Sequence, residues 1–531
     1  MGHCHKDTPA EPVADVTPGL DDPVATESHQ VPAFNTETSP VLSRSKQFSI
    51  ISMILLCNLI QCTANNSKYA SQFSTVAGGY EFSARLGVKD SPGQANWMAA
   101  AYGLTQSSFV LISGRLGAVY GHQRLMILGG AILVIFSLCN AFCTDYLSFI
   151  AMRALTGVGG GILMPNAVAT LTIMIPPGKA RNFTLAIFAA SPPIGAMIGA
   201  LIAGAVLKYT EWKWHFIIIS CLAATSFGVL FFVLPREKPV DKDGKVDFIG
   251  AVLGLSGLLL FSVAWNQAPS VGWQTPAVIV VLILSVILIF VFFVWESRFA
   301  VAPIMPLGAF KAPSFNALIF VVLFIYMSIG ILLWYMVAWE QLIRDWTVLH
   351  IAVGWIPYGL GASMAVTMAA WLVTLLEAQY LLALGCLTSF AASVLLATMP
   401  EQQLYWAQVF PATVLGSFCP DFVFVAAQII ASNSVEKHEQ GVASSLIGTL
   451  NLYGNSLGLG FAGTIEGQVA KMTGSRVAGF RAAIWFGAGL AVVALALDLA
   501  FVRLRHVDCE DWNSPQSVDL EATEVRRSGI N

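Results

Sequence analysis

Apolar runs of about twenty residues follow one another along nearly the whole of this chain, and no other feature limits its fold as tightly. A helix rising 1.5 Å per residue needs about that length to cross a ~30 Å hydrocarbon core. No water reaches that depth, so the backbone must satisfy its own N–H and C=O groups, as a helix does. Fourteen runs qualify, near residues 48–66, 95–117, 125–143, 146–174, 183–207, 215–234, 247–266, 276–296, 313–341, 348–374, 378–398, 405–431, 441–466 and 480–503. A soluble domain would carry about a quarter of its residues charged. Here 11% are charged and 56% hydrophobic, so the expected fold class is an all-α integral membrane protein.

An even number of spans puts both termini on one side. Under that topology 18 Lys and Arg fall on the terminal side and 9 opposite, with Arg153 inside the fourth run. Excess Lys and Arg marks the cytosolic face, so both ends are expected in the cytosol. Residues 1–47 and 506–531 are polar and poor in aromatics, and both are expected to be disordered tails. No signal peptide precedes the first run, which is expected to be an uncleaved span. The sequon Asn65-Asn66-Ser67 falls at an outer membrane edge, too close for glycosylation.

Several function classes find no support. A net charge of −3 offers no basic field to nucleic acid. Seven of the nine cysteines fall inside apolar runs, so no disulfide framework is expected. His3-Cys4-His5 has metal-ligand chemistry but sits in a polar tail, and neither metal nor cofactor is expected. No nucleophile–base pair or phosphate-binding loop stands out. Gly159-Gly160-Gly161 lies within a run and reads as helix packing, so an enzyme is not expected.

Glycines four apart (Gly157 and Gly161, Gly195 and Gly199, Gly454 and Gly458) would let helices approach closely where lipid is as apolar as leucine. Pro192-Pro193 must interrupt the fifth backbone ladder, leaving either a kink at a moving interface or a static packing kink.

The stretch from Trp97 to Arg124 reads WMAAAYGLTQSSFVLISGRLGAVYGHQR. It resembles the second span and following loop of major facilitator drug:proton antiporters, where GxLxDRxGRR follows a W…YxLT span. Gly114, Leu116 and Gly121 match, and Arg115 and Arg124 flank the turn. Ala118 stands where that family has its Asp, Val119 where it has Arg, and His122-Gln123 where it has two basic residues. Arg153-Ala-Leu-Thr-Gly157 resembles the RxxxG of span 4. The run from Pro192 through Gly195 to Gly199 resembles a degenerate GPxxG antiporter motif, with Ile187 and Ser191 at its leading glycine positions. Trp212-Lys-Trp-His-Phe216, Val246-Asp-Phe-Ile-Gly250 and Glu439-Gln-Gly-Val-Ala443 resemble the starts of span 6, of the extra helix pair and of the penultimate span. In this order the motifs resemble fungal 14-span transporters of the aminotriazole-resistance type. The resemblance implies two six-helix bundles (48–234 and 313–505) with a loop and two accessory spans between them (235–312).

An ionisable group at mid-membrane costs at least ~2.5–3.5 kcal/mol on insertion scales, so each one invites a reason. Asp421, beside Pro420 in span 12, is either a proton-binding carboxylate or a cap on a helix that the proline interrupts. Arg153 could pair with a carboxylate, hold an anionic group, or snorkel to the surface. Glu340 and Gln341 follow Trp334, Tyr335 and Trp339, which suits either an outer vestibule or an aromatic interface belt. Asn58, Gln61, Gln106, Asn451 and Asn455 are cavity candidates or interhelical hydrogen bonds. Gln61 stands where the drug-antiporter branch has an Asp, and Asp498 is expected to reach the inner interface.

In the superfamily, the first and fourth helices of each bundle line the cavity. Here those are spans 1, 4, 9 and 12, which carry Asn58 and Gln61, Arg153, Glu340 and Gln341, and Asp421. The expectation is a secondary transporter exporting small organic molecules across the plasma membrane. A proton would be the coupling ion, Asp421 the coupling site, and Arg153 its partner or a substrate anchor. An uncoupled facilitator or importer is the alternative, and a non-transporting membrane sensor the more distant one.

Overall fold

The computed structural model describes residues 44–64, 92–175, 179–234, 246–300, 313–373, 375–434 and 440–502, with the single positions 239, 241 and 244. Residues 1–43 of the first expected tail, all of the second, the sequon, the His3-Cys4-His5 run and Glu439 lie outside them, while 44–47, expected in the first tail, are helical. Every regular element among the described residues is a helix. In chain order they are α1 (Arg44–Ala64), α2 (Pro92–Tyr120), α3 (His122–Asn140), α4 (Tyr146–Met174), α5 (Lys179–Tyr209), α6 (Lys213–Val233), α7 (Phe248–Val271) and α8 (Pro276–Arg298). There follow α9 (Pro313–Leu342), α10 (Val348–Gly354), α11 (Ile356–Leu372), α12 (Ala378–Ala397), α13 (Val409–Ser434), α14 (Gln440–Thr473) and α15 (Arg476–Phe501).

Each apolar run coincides with one helix except the tenth, which divides at Trp355. Pro357 sits in the first turn of α11, where its missing N–H costs nothing because that donor would be unpaired anyway. Among the described residues, 11 helical segments are long and apolar enough to cross a membrane, with α10 and α11 counted as one. Of the remaining long helices, α1 offers a shorter apolar stretch, Phe48–Thr63, and α2 and α14 hold buried polar residues such as Gln106 and Asn451. Fourteen crossings are compatible with this arrangement, and the chain is a multi-pass membrane protein.

Helices α1 to α6 pack chiefly among themselves, and so do α9 to α15. The two sets meet where α2 lies against α14 and where α5 lies against α10 and α11. Helix α7 packs on both α2 and α14, and α8 packs on α7. The difference in burial is large: 72% of the most apolar stretch of α9 is buried, against 17% for α8. An apolar helix with that little cover has lipid as its natural neighbour.

Small residues make the closest approaches. A side chain at Gly157 or Gly161 would strike α2, one at Gly195 or Gly199 would strike α1, and one at Gly454 or Gly458 would strike α9. The expected glycine pairs are thus helix contacts. Gly121 turns the chain between α2 and α3 with φ of 102°, a conformation that favours glycine. Gly114 has nothing within 4 Å of the place a side chain would occupy, whereas Gly117 is crowded by His122 and Asn166.

The prolines inside helices are accommodated by neighbours. Pro192 cannot donate to Phe188 O, and that carbonyl instead accepts from Asn58 Nδ2 at 3.3 Å and Ser191 Oγ at 2.6 Å. Pro165 cannot donate to Gly161 O, which accepts from Ser113 Oγ at 2.9 Å. Both α5 and α4 continue unbroken through these sites. Asp145 caps α4 by accepting from Ser148 N at 2.9 Å and Ser148 Oγ at 2.6 Å. Those bonds hold the Asp145 carboxyl below the usual carboxylate range.

Candidate functional site

Two groups of buried polar side chains stand out, one in each helix set. In the first, Gln61 of α1 and Tyr102 of α2 both border Gly160 of α4. Gln61 Nε2 donates to Gly160 O at 3.4 Å, and the Gln61 amide and the Tyr102 hydroxyl face each other across Gly160. The guanidinium of Arg153 stands 5.2 Å from the centre of the Tyr102 ring, a cation–π distance. One helical turn beyond Tyr102, both amide atoms of Gln106 are buried without a partner. Leaving a buried donor or acceptor unpaired costs about 1–3 kcal/mol, so this concentration in one place points to a ligand or water.

Arg153 is 1% exposed, which excludes snorkelling to the surface. Its depth follows from the helix: α4 starts at Tyr146, two turns earlier, and its glycine face presses α4 against α2 and α3. The fully buried His215 of α6 lies within its electrostatic reach.

The second group runs through α9, α11 and α13. Trp355 Nε1 donates to Glu340 Oε2 at 3.2 Å, and Glu340 Oε1 has no partner. The Trp355 ring lies 5.3 Å from that of Tyr358, and Tyr358 is near enough to Asp421 to feel its charge. Two buried carboxylates thus lie near one pair of aromatic side chains. Next to Tyr358, Gly359 packs tightly on Met197 of α5, so this chain of groups borders the contact between the helix sets. Helix α13 runs unbroken from Val409 to Ser434 through Pro420, so Asp421 does not cap an interrupted helix.

Several expectations change on this geometry. Trp334, Tyr335, Trp339 and Glu340 are all buried at 1% exposure or less, so they form no interface belt, and Gln341 beside them is half-buried. Asn58 donates to Phe188 O and to Ser191 Oγ, which commits its amide donors to packing α1 on α5. Asn455 donates to Asn451 O at 2.8 Å and lies against Gly330 of α9, while Asn451 Nδ2 has no partner. Asp498 does not reach the interface: it is fully buried, both carboxylate oxygens lack partners, and α12 packs over α15 there.

Other residues were not anticipated. Tyr102 precedes Gln106 by one turn and so shares its face, a signal that helical spacing alone could have given. Glu466 was expected at the end of its span, but α14 continues to Thr473 and buries it where it accepts from Tyr335 OH at 2.6 Å. His215 lay inside a recognised motif as an unassigned position. Nothing in the sequence brings Trp355 to Glu340.

The family pattern of the Major Facilitator Superfamily matches residues 54–459, most of the chain and both polar groups. The chain belongs to the Major Facilitator Superfamily. It is a transporter rather than an enzyme. Among its relatives, the low affinity ammonium transporter of Saccharomyces cerevisiae is 32% identical over 75% of this chain and 79% of that protein. An efflux pump of Aspergillus terreus is 31% identical over 78% of this chain and 82% of that one. The aminotriazole resistance protein of S. cerevisiae is 31% identical over 75% of each, in line with the resemblance drawn from the motifs. A crystal structure of the nucleoside transporter NupG superposes with a TM-score of 0.60 at 10% identity, covering 86% of this Major Facilitator chain and all of that one, a likeness of fold.

Proposed function

We propose that this transporter exports small organic molecules across the plasma membrane by exchange with protons, with both termini in the cytosol. The helix sets α1–α6 and α9–α15 would act as two bundles that alternate access around a site between them, with α7 and α8 as accessory spans. The run from Glu340 through Trp355 and Tyr358 to Asp421 carries this reading. A buried carboxylate is costly when ionised and can exchange a proton as its surroundings open. Asp421 is the coupling group in this reading because it stands halfway along α13, buried and within electrostatic reach of Tyr358. Gln61, Tyr102 and Gln106 offer uncharged donors and acceptors to a substrate, with Arg153 beside them as a fixed positive charge. The efflux pump and the resistance protein among the relatives support outward transport of a small molecule.

The decisive experiment is uptake of radiolabelled aminotriazole and a panel of fungal metabolites into inside-out vesicles, with and without an imposed proton gradient. Accumulation that a protonophore abolishes is expected, and its loss in Asp421→Asn assigns the coupling group. Full gradient-driven transport by Asp421→Asn would sink that assignment. A second reading, a facilitator or importer of a small cation, is favoured by the ammonium-transporting relative and by Gln61 and Ala118 in place of carboxylates. Gradient-independent equilibration of radiolabelled methylammonium would support it instead.

A further inference from the structure

Helices α2 and α3 meet at a turn whose arginine has no acidic residue on either helix to pair with. The carboxylate comes from 126 positions away. Asp241, in the connection between α6 and α7, accepts from Arg115 Nη1 through Oδ2 at 2.9 Å. Its own backbone N–H donates to Ala118 O at 3.0 Å. One residue thus bonds the end of α2 twice, once through its side chain and once through its main chain, which holds Asp241 itself in place there. Six residues later the connection is anchored again. Asp247 accepts from Gly250 N at 2.9 Å, capping α7, and from Trp295 Nε1 of α8 at 2.8 Å.

Helix α2, which carries Arg115 and Ala118, packs on α14, and α7 packs on both. Along α7, Asn266 Nδ2 donates to Ser456 O of α14 at 3.3 Å, and the Trp265 ring stacks on Phe461 at 3.6 Å. Without a tie to the turn, α7 would be held as much by α14 as by α2. We propose that Asp241 is a positioning residue for transport, fastening the start of α7 to the α2–α3 turn so that the two move as one unit. The inference rests on the alternating-access reading above. The Arg115 and Asp241 side chains are 37% and 41% exposed, and a pair so open to water holds weakly and is screened by salt. Such a pair suits a tie that orients a segment better than one that stabilises the fold.

Hydrogen exchange on the purified full-length chain in lipid nanodiscs tests this without any substrate. Asp241→Asn is expected to raise exchange several-fold in both the α2–α3 turn and the first turn of α7, with thermal stability unchanged. Asp241→Glu, and the charge exchange Arg115→Asp with Asp241→Arg, are expected to restore protection. Unchanged exchange in Asp241→Asn, or failure of the charge exchange to restore it, overturns the proposal. Where wild type moves aminotriazole or methylammonium, Asp241→Asn should lower turnover several-fold at unchanged KM, and a changed KM at unchanged turnover also overturns it. A wild type that shows no proton-driven accumulation would count against the export reading alone, since the exchange measurement is independent of transport.

Discussion

In α1–α6 the buried ionisable groups are Arg153, His122 and His215, whereas in α9–α15 they are Glu340, Asp421, Glu466 and Asp498. No described carboxylate is buried in the first set, and no described Lys or Arg in the second. The remaining buried polar groups of the first set are amides and hydroxyls, and two of them, Gln61 and Tyr102, meet at Gly160. Two sets of helices with parallel packing have thus placed opposite charge in their interiors. An arginine keeps its charge through any transport cycle, while a carboxylate can give it up. Under the proposed export reading, the contrast fits substrate orientation in the first set and proton exchange in the second.

The sharpest way to break that division is to remove the exchangeable group. Asp421→Asn is expected to cut gradient-driven accumulation in vesicles at least about tenfold, equivalent to ~1.4 kcal/mol, while downhill equilibration survives. Equal loss of both would mean that Asp421 binds substrate or holds the fold, and the contrast would fail.

Packing predicts the next largest effect. Gly161→Leu drives a side chain into the Gln106 carbonyl and Phe109, so it should cost about 1–3 kcal/mol or more by overpacking and lower the yield of folded protein. Gly114→Ala, on the face of α2 with open space, should change thermal stability by less than about 1 kcal/mol in either direction. Equal losses in the two variants would show that the turn motif, rather than helix contact, sets the demand for glycine.

Asn58→Ala tests whether the amide of α1 serves the fold. It strips Phe188 O of one of its two donors beside Pro192, and about 0.5–1.5 kcal/mol of stability should go with it in a detergent melting curve. A melting curve like that of wild type, together with an altered substrate profile, would return Asn58 to the cavity.

The smallest expected effect on stability is also the most discriminating. Both amide atoms of Gln106 are buried without partners, so Gln106→Leu should leave stability unchanged or slightly raised. Transport should still suffer, as a raised KM for the substrate. If stability fell by about 1 kcal/mol or more, Gln106 would be part of the packing and the uncharged cluster would lose a member.

Much of this was legible in the chain itself. Fourteen apolar runs located fifteen helices, because a bilayer of fixed thickness demands segments of fixed length and leaves the backbone no alternative to a helix. The glycine pairs announced close contacts, and the rarity of charge drew attention to Arg153, Glu340 and Asp421 before any neighbour was known. What a helix buried in apolar surroundings does not announce is which way each residue points. With nearly every side chain apolar, its sequence carries no polar face to set the rotation.

Tertiary structure alone therefore decided the use of each polar group. It joined Asn58 to a carbonyl released by Pro192, set Trp355 between Glu340 and Tyr358, gathered Gln61 and Tyr102 at Gly160, and left the Gln106 amide unpaired. It also moved Glu466 and Asp498 from expected edges into the interior, because α14 runs seven residues further and α12 covers α15. The length and order of the spans are properties of the chain against its solvent. The pairing of one polar atom with another is a property of helices packed together, and it exists only once neighbouring helices have chosen their rotation and depth.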